Sequence, residues 1–379
     1  MRPHRSKSAS ALLAALLALG SASALAEPAT GSVRCASCHT AEAAPLGKSR
    51  HGLASSPGLW GQLPTSGPHL GSALACLTCH APASDQQPWR PTTPLAVDPK
   101  PGQTAVEATS LALANATVEA NPAFDPHARD LGVSCASCHV ENGQILGPRP
   151  SPRAPHPVKV AALDDVERCA GCHQFGPDAA VNGKPLENLV AEFRSSAWAE
   201  AGATCVSCHM PDGRHLFQGI HAPDLVSASV EVHWRRDGDG QGELSLTNTA
   251  VGHDIPSYAT PRVVLSVQPE DARGHAVGAA SQQVLGRAVH WESDHWVEDS
   301  DTRVPPGGTS RLPYKLSLSA NATQLRASVW VEPDAAYSAI YTGLLANGGL
   351  PPERASELRH ALEKVHASRY EIFDETQPR

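Results

Sequence analysis

The sequence predicts a chain of two unlike parts: a mainly helical and irregular N-terminal part that lacks the side chains for a core of its own, followed by an all-β, sandwich-like domain and C-terminal helices. Three observations lead there. Residues 27–225 are rich in Ala, Pro, Gly and Ser and poor in aromatics. All ten cysteines of the 379-residue chain fall before residue 210. From residue 227 onward cysteine is absent, and short runs of alternating apolar and polar residues take over. The first composition buries too little apolar side chain to offset the entropy of ordering the backbone, so something other than side chains must supply a core there.

The first 26 residues read as a removable address. Arg2, Arg5 and Lys7 precede the apolar run Ala11 to Leu19, and Ala24-Leu25-Ala26 sets small residues at the −3 and −1 positions. That is the layout of a secretory signal peptide, with a run too short to span a bilayer. The expectation is a periplasmic or secreted chain starting near Glu27, with no membrane span. Loss of the leader leaves 27 basic against 38 acidic residues, a net charge of −11. Such a balance argues against nucleic acid or anionic lipid as a partner, since both select cationic surfaces. The expected division is leader 1–26, N-terminal domain 27–226, β-sandwich 227–334 and C-terminal helices 335–379.

The cysteines form one pattern repeated five times: Cys35-Ala-Ser-Cys38-His39, Cys76-Leu-Thr-Cys79-His80, Cys135-Ala-Ser-Cys138-His139, Cys169-Ala-Gly-Cys172-His173 and Cys205-Val-Ser-Cys208-His209. C-x-x-C-H is the attachment signature of c-type haem. In one helical turn residues i and i+3 share a face, so both thiols can reach the vinyl groups on one porphyrin edge, and the next residue's imidazole reaches the iron. A disulfide scaffold, paired C-x-x-C zinc sites or a thioredoxin-like dithiol would not place His after the second Cys every time. At the chain's own His frequency, five such coincidences in five have a chance of ~3 × 10⁻⁷. Five covalently bound haem c groups are therefore expected, one per ~40 residues of the N-terminal domain, and their flat apolar bodies would replace the missing core. The Pro-rich stretch Pro82 to Pro101 then reads as surface loop beside them.

Axial ligands decide between electron transfer and catalysis. Only two methionines occur: Met1 lies in the leader, and Met210 follows His209 directly and so sits on the proximal side. Sixth ligands are therefore expected to be His. The candidates are His51, His127, His156, His215, His221 and His253, with His69 a further possibility. At ~3.3–3.6 Å per residue, the six residues from His209 to His215 reach roughly 20 Å, barely enough to round a porphyrin. His215 and His221 should therefore serve neighbouring irons. His233, His290, His295, His360 and His366 read as structural or exposed.

In the C-terminal half, Val230, Val232 and Trp234 alternate, a turn follows at Asp237 to Gly242, and Leu244 and Leu246 resume the alternation, which predicts a hairpin. Further strands are expected at 262–268, 284–291, 311–318 and 325–331, then helices at 335–346 and 353–369. Six or seven short strands suggest a β-sandwich.

The run Asn248-Thr-Ala-Val251-Gly252-His253-Asp-Ile-Pro256, together with Cys205 to Pro211 and the stretch from His215 to Pro223, resembles a family of bacterial multihaem cytochromes c. That family shares haem packing with the nitrifier tetrahaem cytochrome and the hydroxylamine oxidoreductase group, and several of its members carry a C-terminal sandwich. The resemblance implies that His253 reaches back from the β-domain as a distal ligand. The function expected is transfer of electrons between redox protein partners, such as a quinol-oxidising cytochrome or an outer-membrane conduit, through mostly bis-His haems. The alternative is a reductase or oxidase of a small nitrogen or sulfur oxyanion with one open haem. Against that alternative, the chain contains no C-x-x-C-K motif.

Overall fold

Every attachment motif is a helical turn. Four of them close a helix on their His: Leu70–His80, Cys135–His139, Val166–His173 and Cys205–His209. The first motif makes the same turn, with the His39 N–H donating to the Cys35 carbonyl at 2.9 Å. The structure, a computed structural model, describes residues 35–379 except Pro68, Asp178, Ala179 and Asp294, so the expected leader lies outside the described residues. Helix starts follow ordinary capping chemistry. The side chains of Ser56, Thr104, Asp165 and Ser196 each accept an N–H from the first turn they precede, and Pro57 and Pro223 open their helices.

Between these short helices the N-terminal part is mostly turns and two- to four-residue strand pairings. Its apolar cluster is small: Leu59, Trp60, Leu63, Ala73, Leu74, Leu77, Ala81 and Leu113. The Pro82 to Pro101 stretch is less irregular than expected. It holds a 3₁₀ turn at Ser84–Gln86 and a strand at Trp89–Pro91 that pairs with Val118–Ala120. The reason lies in Gln86, whose buried amide donates to the Gly132 carbonyl at 3.0 Å and anchors the loop from within.

Among the described residues the C-terminal half carries nine strands: β1 (Val230–Gly238), β2 (Gln241–Asn248), β3 (Arg262–Glu270), β4 (Ser281–Leu285), β5 (Arg287–Glu292), β6 (His295–Asp301), β7 (Thr309–Lys315), β8 (Gln324–Glu332) and β9 (Tyr370–Pro378). They form a three-stranded sheet β7-β2-β1, a four-stranded sheet β4-β3-β8-β9 and the hairpin β5-β6. The two larger sheets pack their alternate residues together, with Leu244, Leu265, Leu285 and Leu325 fully buried among fifteen core residues. Two strands depart from expectation. Residues 284–291 divide between β4 and β5, with Gly286 between them, and β6 is a strand whose acidic, tryptophan-bearing sequence shows no alternation.

The region expected to hold only C-terminal helices also needs correcting. Helices run over Ala335–Asn347 and Pro352–Ala367, but Tyr370–Pro378 is a strand that pairs antiparallel with β8. Its alternation of Tyr370 and Ile372 supplies the side chains that pack on the sandwich core. The helices themselves return to the N-terminal part. Leu358 packs on Gly61, where a Cβ would come within 2.6 Å of it, and Arg354 donates to the Gly61 and Gln62 carbonyls at 3.1 and 3.0 Å.

Two buried arginines join the parts. Arg287 donates to the Val181 and Lys184 carbonyls at 2.9 and 2.8 Å and pairs with Glu298. Arg303, 1% exposed, binds Glu192 of the helix Leu189–Arg194 at 2.9 Å, Asp301 at 2.9 Å and Asp254 at 3.3 Å. Removing the guanidinium would leave three carboxylates crowded and uncompensated. Arg303→Met is therefore expected to lower stability by about 3–5 kcal/mol, read as a lowered denaturant midpoint; a change under about 0.5 kcal/mol would show that the cluster is not structural.

Candidate metal centres

The motif histidines are oriented from behind. The Nδ1–H of His80 donates to the Ala54 carbonyl at 3.2 Å, that of His139 to Leu146 at 3.0 Å, and that of His209 to Gln218. A carbonyl can only accept, so each bond fixes the tautomer and turns Nε2 toward the thiol-bearing face, the usual way a ligating imidazole is held.

Opposite four of these rings stands a second imidazole. His39 faces His156 with ring centroids 6.4 Å apart, His139 faces His215 at 6.1 Å, His173 faces His51 at 5.9 Å, and His209 faces His253 at 6.3 Å. Two collinear metal–imidazole bonds of about 2 Å, plus ~1.1 Å from nitrogen to centroid on each side, put such centroids roughly 6.2 Å apart. The spacing fits one metal ion between the rings. The His209 and His253 rings are within 8° of parallel. His253 and His156 are steadied by the Asp254 and Pro157 carbonyls at 2.9 and 3.3 Å, while Nδ1 of His51 and of His215 is buried without a protein partner. None of the ten cysteines is joined to another. Among the described residues no group of three or more His, Cys, Asp or Glu forms a bare-ion site. Paired thiols, a proximal ring and a distal ring fit a c-type haem.

For three of these rings burial favours the neutral form that ligation requires. It holds His51, His173 and His253 down at about 4, reinforced for His51 by His209 and for His173 by His51. His80 is lowered by burial as well.

The five motifs form a connected series. The thiols of Cys35 and Cys135, of Cys169 and Cys205, and of Cys79 and Cys172 lie close enough to shift each other's ionisation. Arg168, just before Cys169, donates to the Cys138 carbonyl at 2.9 Å. The first motif thus adjoins the third, the third adjoins the fourth, and the fourth adjoins both the second and the fifth.

His80 differs. Among the described residues no second imidazole faces it. Beside its motif, Tyr337 feels the charge of Cys76 and of Glu187, and Glu187 feels that of Cys79. Tyr258, an aromatic residue in the left-handed region at φ 38°, sits in the same electrostatic cluster with Glu187, Tyr337, Asp334 and Arg50. Strained bulky residues of this kind concentrate at functional sites. Glu187 Oε2 is buried without a partner, and its carboxyl is pushed up to about 8 by burial, then by Cys79 and Glu192.

Two expected distal ligands stand elsewhere. His127 is an exposed turn residue whose N–H is fixed by Asp125, and its ring points into solvent. His221 Nε2 is bonded to Asp334 at 2.9 Å, so that nitrogen is already engaged. His69 is exposed at the start of the helix Leu70–His80. His51 lies on a loop closed against Gly132, where any Cβ would come 2.1 Å from the His51 carbonyl oxygen. His253 hangs from the loop after β2. Buried Asn248 donates to the His253 and Val304 carbonyls at 3.1 and 3.2 Å and accepts from the Val251 N–H, and Gly252 passes close to Phe193. Asn248 was visible in the sequence as part of the run that precedes His253. Arg303 and Glu192 carried no such signal, because they meet only in three dimensions.

Among solved structures, a penta-heme cytochrome c552 from Thermochromatium tepidum superposes with a TM-score of 0.58 at 17% identity, over 92% of this chain and 98% of that one. The fold is that of a multihaem cytochrome. No protein-family model matches the sequence, and no curated protein matches it. Among the described residues no helix is long and apolar enough to cross a membrane.

Replacing His51, His156, His215 or His253 by Ala is expected to convert one iron from low to high spin in each case, whereas His127→Ala and His221→Ala leave the spectrum unchanged. Electron paramagnetic resonance of the purified holoprotein reads this directly. A second expectation follows from Glu187. Its folded value of about 8 lies above the ordinary 4.5. The fold therefore holds an extra proton between those values and loses stability as pH rises through them. Glu187→Gln should flatten that decline in thermal melts taken from pH 4.5 to 8, and an unaltered profile would refute the assignment.

Proposed function

We propose that this chain is a periplasmic or extracellular pentahaem c-type cytochrome that transfers electrons between redox partners. The observation that carries the reading is the set of four facing imidazole pairs at 5.9–6.4 Å. Bound in these sites, haem supplies one-electron chemistry between ferric and ferrous iron. The protein's part is to hold both axial rings neutral and fixed. Carbonyls behind His139, His209, His253 and His156 set their tautomers, and the packing of the His51 loop on Gly132 prevents its ring from swinging away. Rings held this way resist movement when the charge between them changes, which favours rapid electron exchange over ligand exchange. The continuous run of neighbouring motifs, first to third to fourth and on to the second and fifth, supports a conducting role over five isolated centres.

A second reading concerns the His80 site alone. Its proximal ring is oriented like the others, yet the groups gathered nearby are Tyr258, Tyr337, Glu187 and the His221–Asp334 pair. Phenols and a protonated carboxyl are hydrogen-bond donors suited to a small nitrogen or sulfur oxyanion. In this reading four centres feed one where chemistry occurs.

Spin counting separates the two. The mass of the mature protein should exceed that of its polypeptide by five haems. Resonance spectra should show four low-spin irons, and the state of the last one decides: high spin, with a shift on adding nitrite or cyanide, supports the second reading. Five low-spin irons that ignore both ligands would eliminate it and leave electron transfer alone. A haem count other than five would overturn both.

A further inference from the structure

The first attachment site lies at one end of the series of motifs and is also the one most open to solvent. Its proximal ring, His39, is 57% exposed, and Cys38 beside it is exposed. The facing ring, His156, comes from an unusual loop. Residues 148–157 read Pro-Arg-Pro-Ser-Pro-Arg-Ala-Pro-His-Pro, with five prolines in ten positions. Proline fixes its own φ and restricts the residue before it, so the loop is stiff without regular structure. It is pinned at both ends by a parallel pairing of Leu146 and Gly147 with Lys159 and Val160. Leu146 is also the residue whose carbonyl orients His139, so a single loop serves the first and third sites together.

The charge on this loop opposes that of the chain. From residue 142 to residue 163 there are three basic residues, Arg149, Arg153 and Lys159, and no acidic one, whereas the whole chain carries −8. All three are exposed, and among the described residues no carboxylate pairs with them. Nearby on the helix Thr40–Lys48, Glu42 approaches His39 at 4.0 Å, and Lys48 in the last turn balances it. A stiff, unpaired, positively charged surface over a terminal redox site suits brief encounters with a negatively charged partner, because long-range attraction raises the encounter rate without requiring a large apolar interface.

We propose that the Pro-rich loop around His156, with Arg149, Arg153 and Lys159, is the docking surface for an acidic electron-carrier protein. This rests on the electron-transfer reading above. The loop gives orientation as well as attraction. The rest of the acidic surface repels such a partner, so the partner is steered to the one end of the series where an axial ring lies close to solvent.

The test uses the intact holoprotein on a gold electrode coated with a carboxylate-terminated monolayer, a defined acidic surface. A quartz microbalance follows adsorbed mass, and voltammetry follows electron exchange. Despite its net negative charge the protein should adsorb at low ionic strength and give a redox wave, with both signals fading as salt screens the contact. The double variant Arg149→Glu/Arg153→Glu should adsorb about tenfold less, while Arg273→Glu, exposed on the β-domain, should behave as wild type. Far-ultraviolet dichroism and an unchanged haem spectrum establish that the double variant is folded. Adsorption of the double variant equal to wild type, or equal losses from Arg273→Glu, would overturn the docking assignment. Adsorbed mass with no redox wave would instead sink the electron-transfer reading, and with it the redox character of the partner.

Discussion

Two imidazoles held about six ångströms apart make a demanding arrangement. At that distance there is room for a single metal ion bonded to a nitrogen of each ring. Burial disfavours charge on His51, His173 and His253. Four times the chain sets up this spacing, each time between residues far apart in sequence: 39 with 156, 51 with 173, 139 with 215, and 209 with 253. A metal ion bonded to both rings would account for the arrangement. The irregular backbone of the N-terminal part follows from the same constraint. Loops there are shaped to deliver rings to positions, and carbonyls such as those of Ala54, Leu146 and Asp254 serve as their backstops.

Seen this way, the small apolar cluster around Leu74 and Leu77 is a local brace and not the organising core of that part. The β-sandwich is the opposite case, with a conventional interior of Leu, Val and Ile between two sheets. What joins such dissimilar halves is polar. Arg287 and Arg303 each cross the boundary to carbonyls or carboxylates, and both are almost wholly shielded from water. Burial opposes the ionisation of Asp301, but the hydrogen bonds from Arg303 and Lys184 prevail and hold its carboxyl well below the usual range. An apolar seam would tolerate sliding. A buried, directional one sets the register between the halves, and the His253 ring depends on that register.

The attachment motifs were fully legible in the sequence because their geometry is local: a spacing of three on one helical turn means the same thing in any fold. The reach argument directed His215 away from its own motif, since covalent distance limits where a ring can go, and its ring faces His139 and not His209. What sequence reasoning missed was non-local. Nothing in the sequence around His127 or His221 distinguishes them from His51 or His156. One faces solvent and the other is captured by Asp334, more than a hundred residues away. Strand β6 was hidden because its charges and tryptophans lie on a two-stranded hairpin with little core to face, so alternation was never imposed on it. Strand β9 escaped notice because it follows a helix and completes a sheet whose other members lie far upstream.

The position of His253 has a consequence for how the molecule is assembled. Thiol attachment would need only a short local motif, available before the chain folds. The ring opposite His209 is different, because it hangs between β2 and β3 and is aimed by Asn248 and the Arg303 cluster, all of which exist only once the sandwich has formed. Completion of the fifth centre would therefore depend on the β-domain having folded.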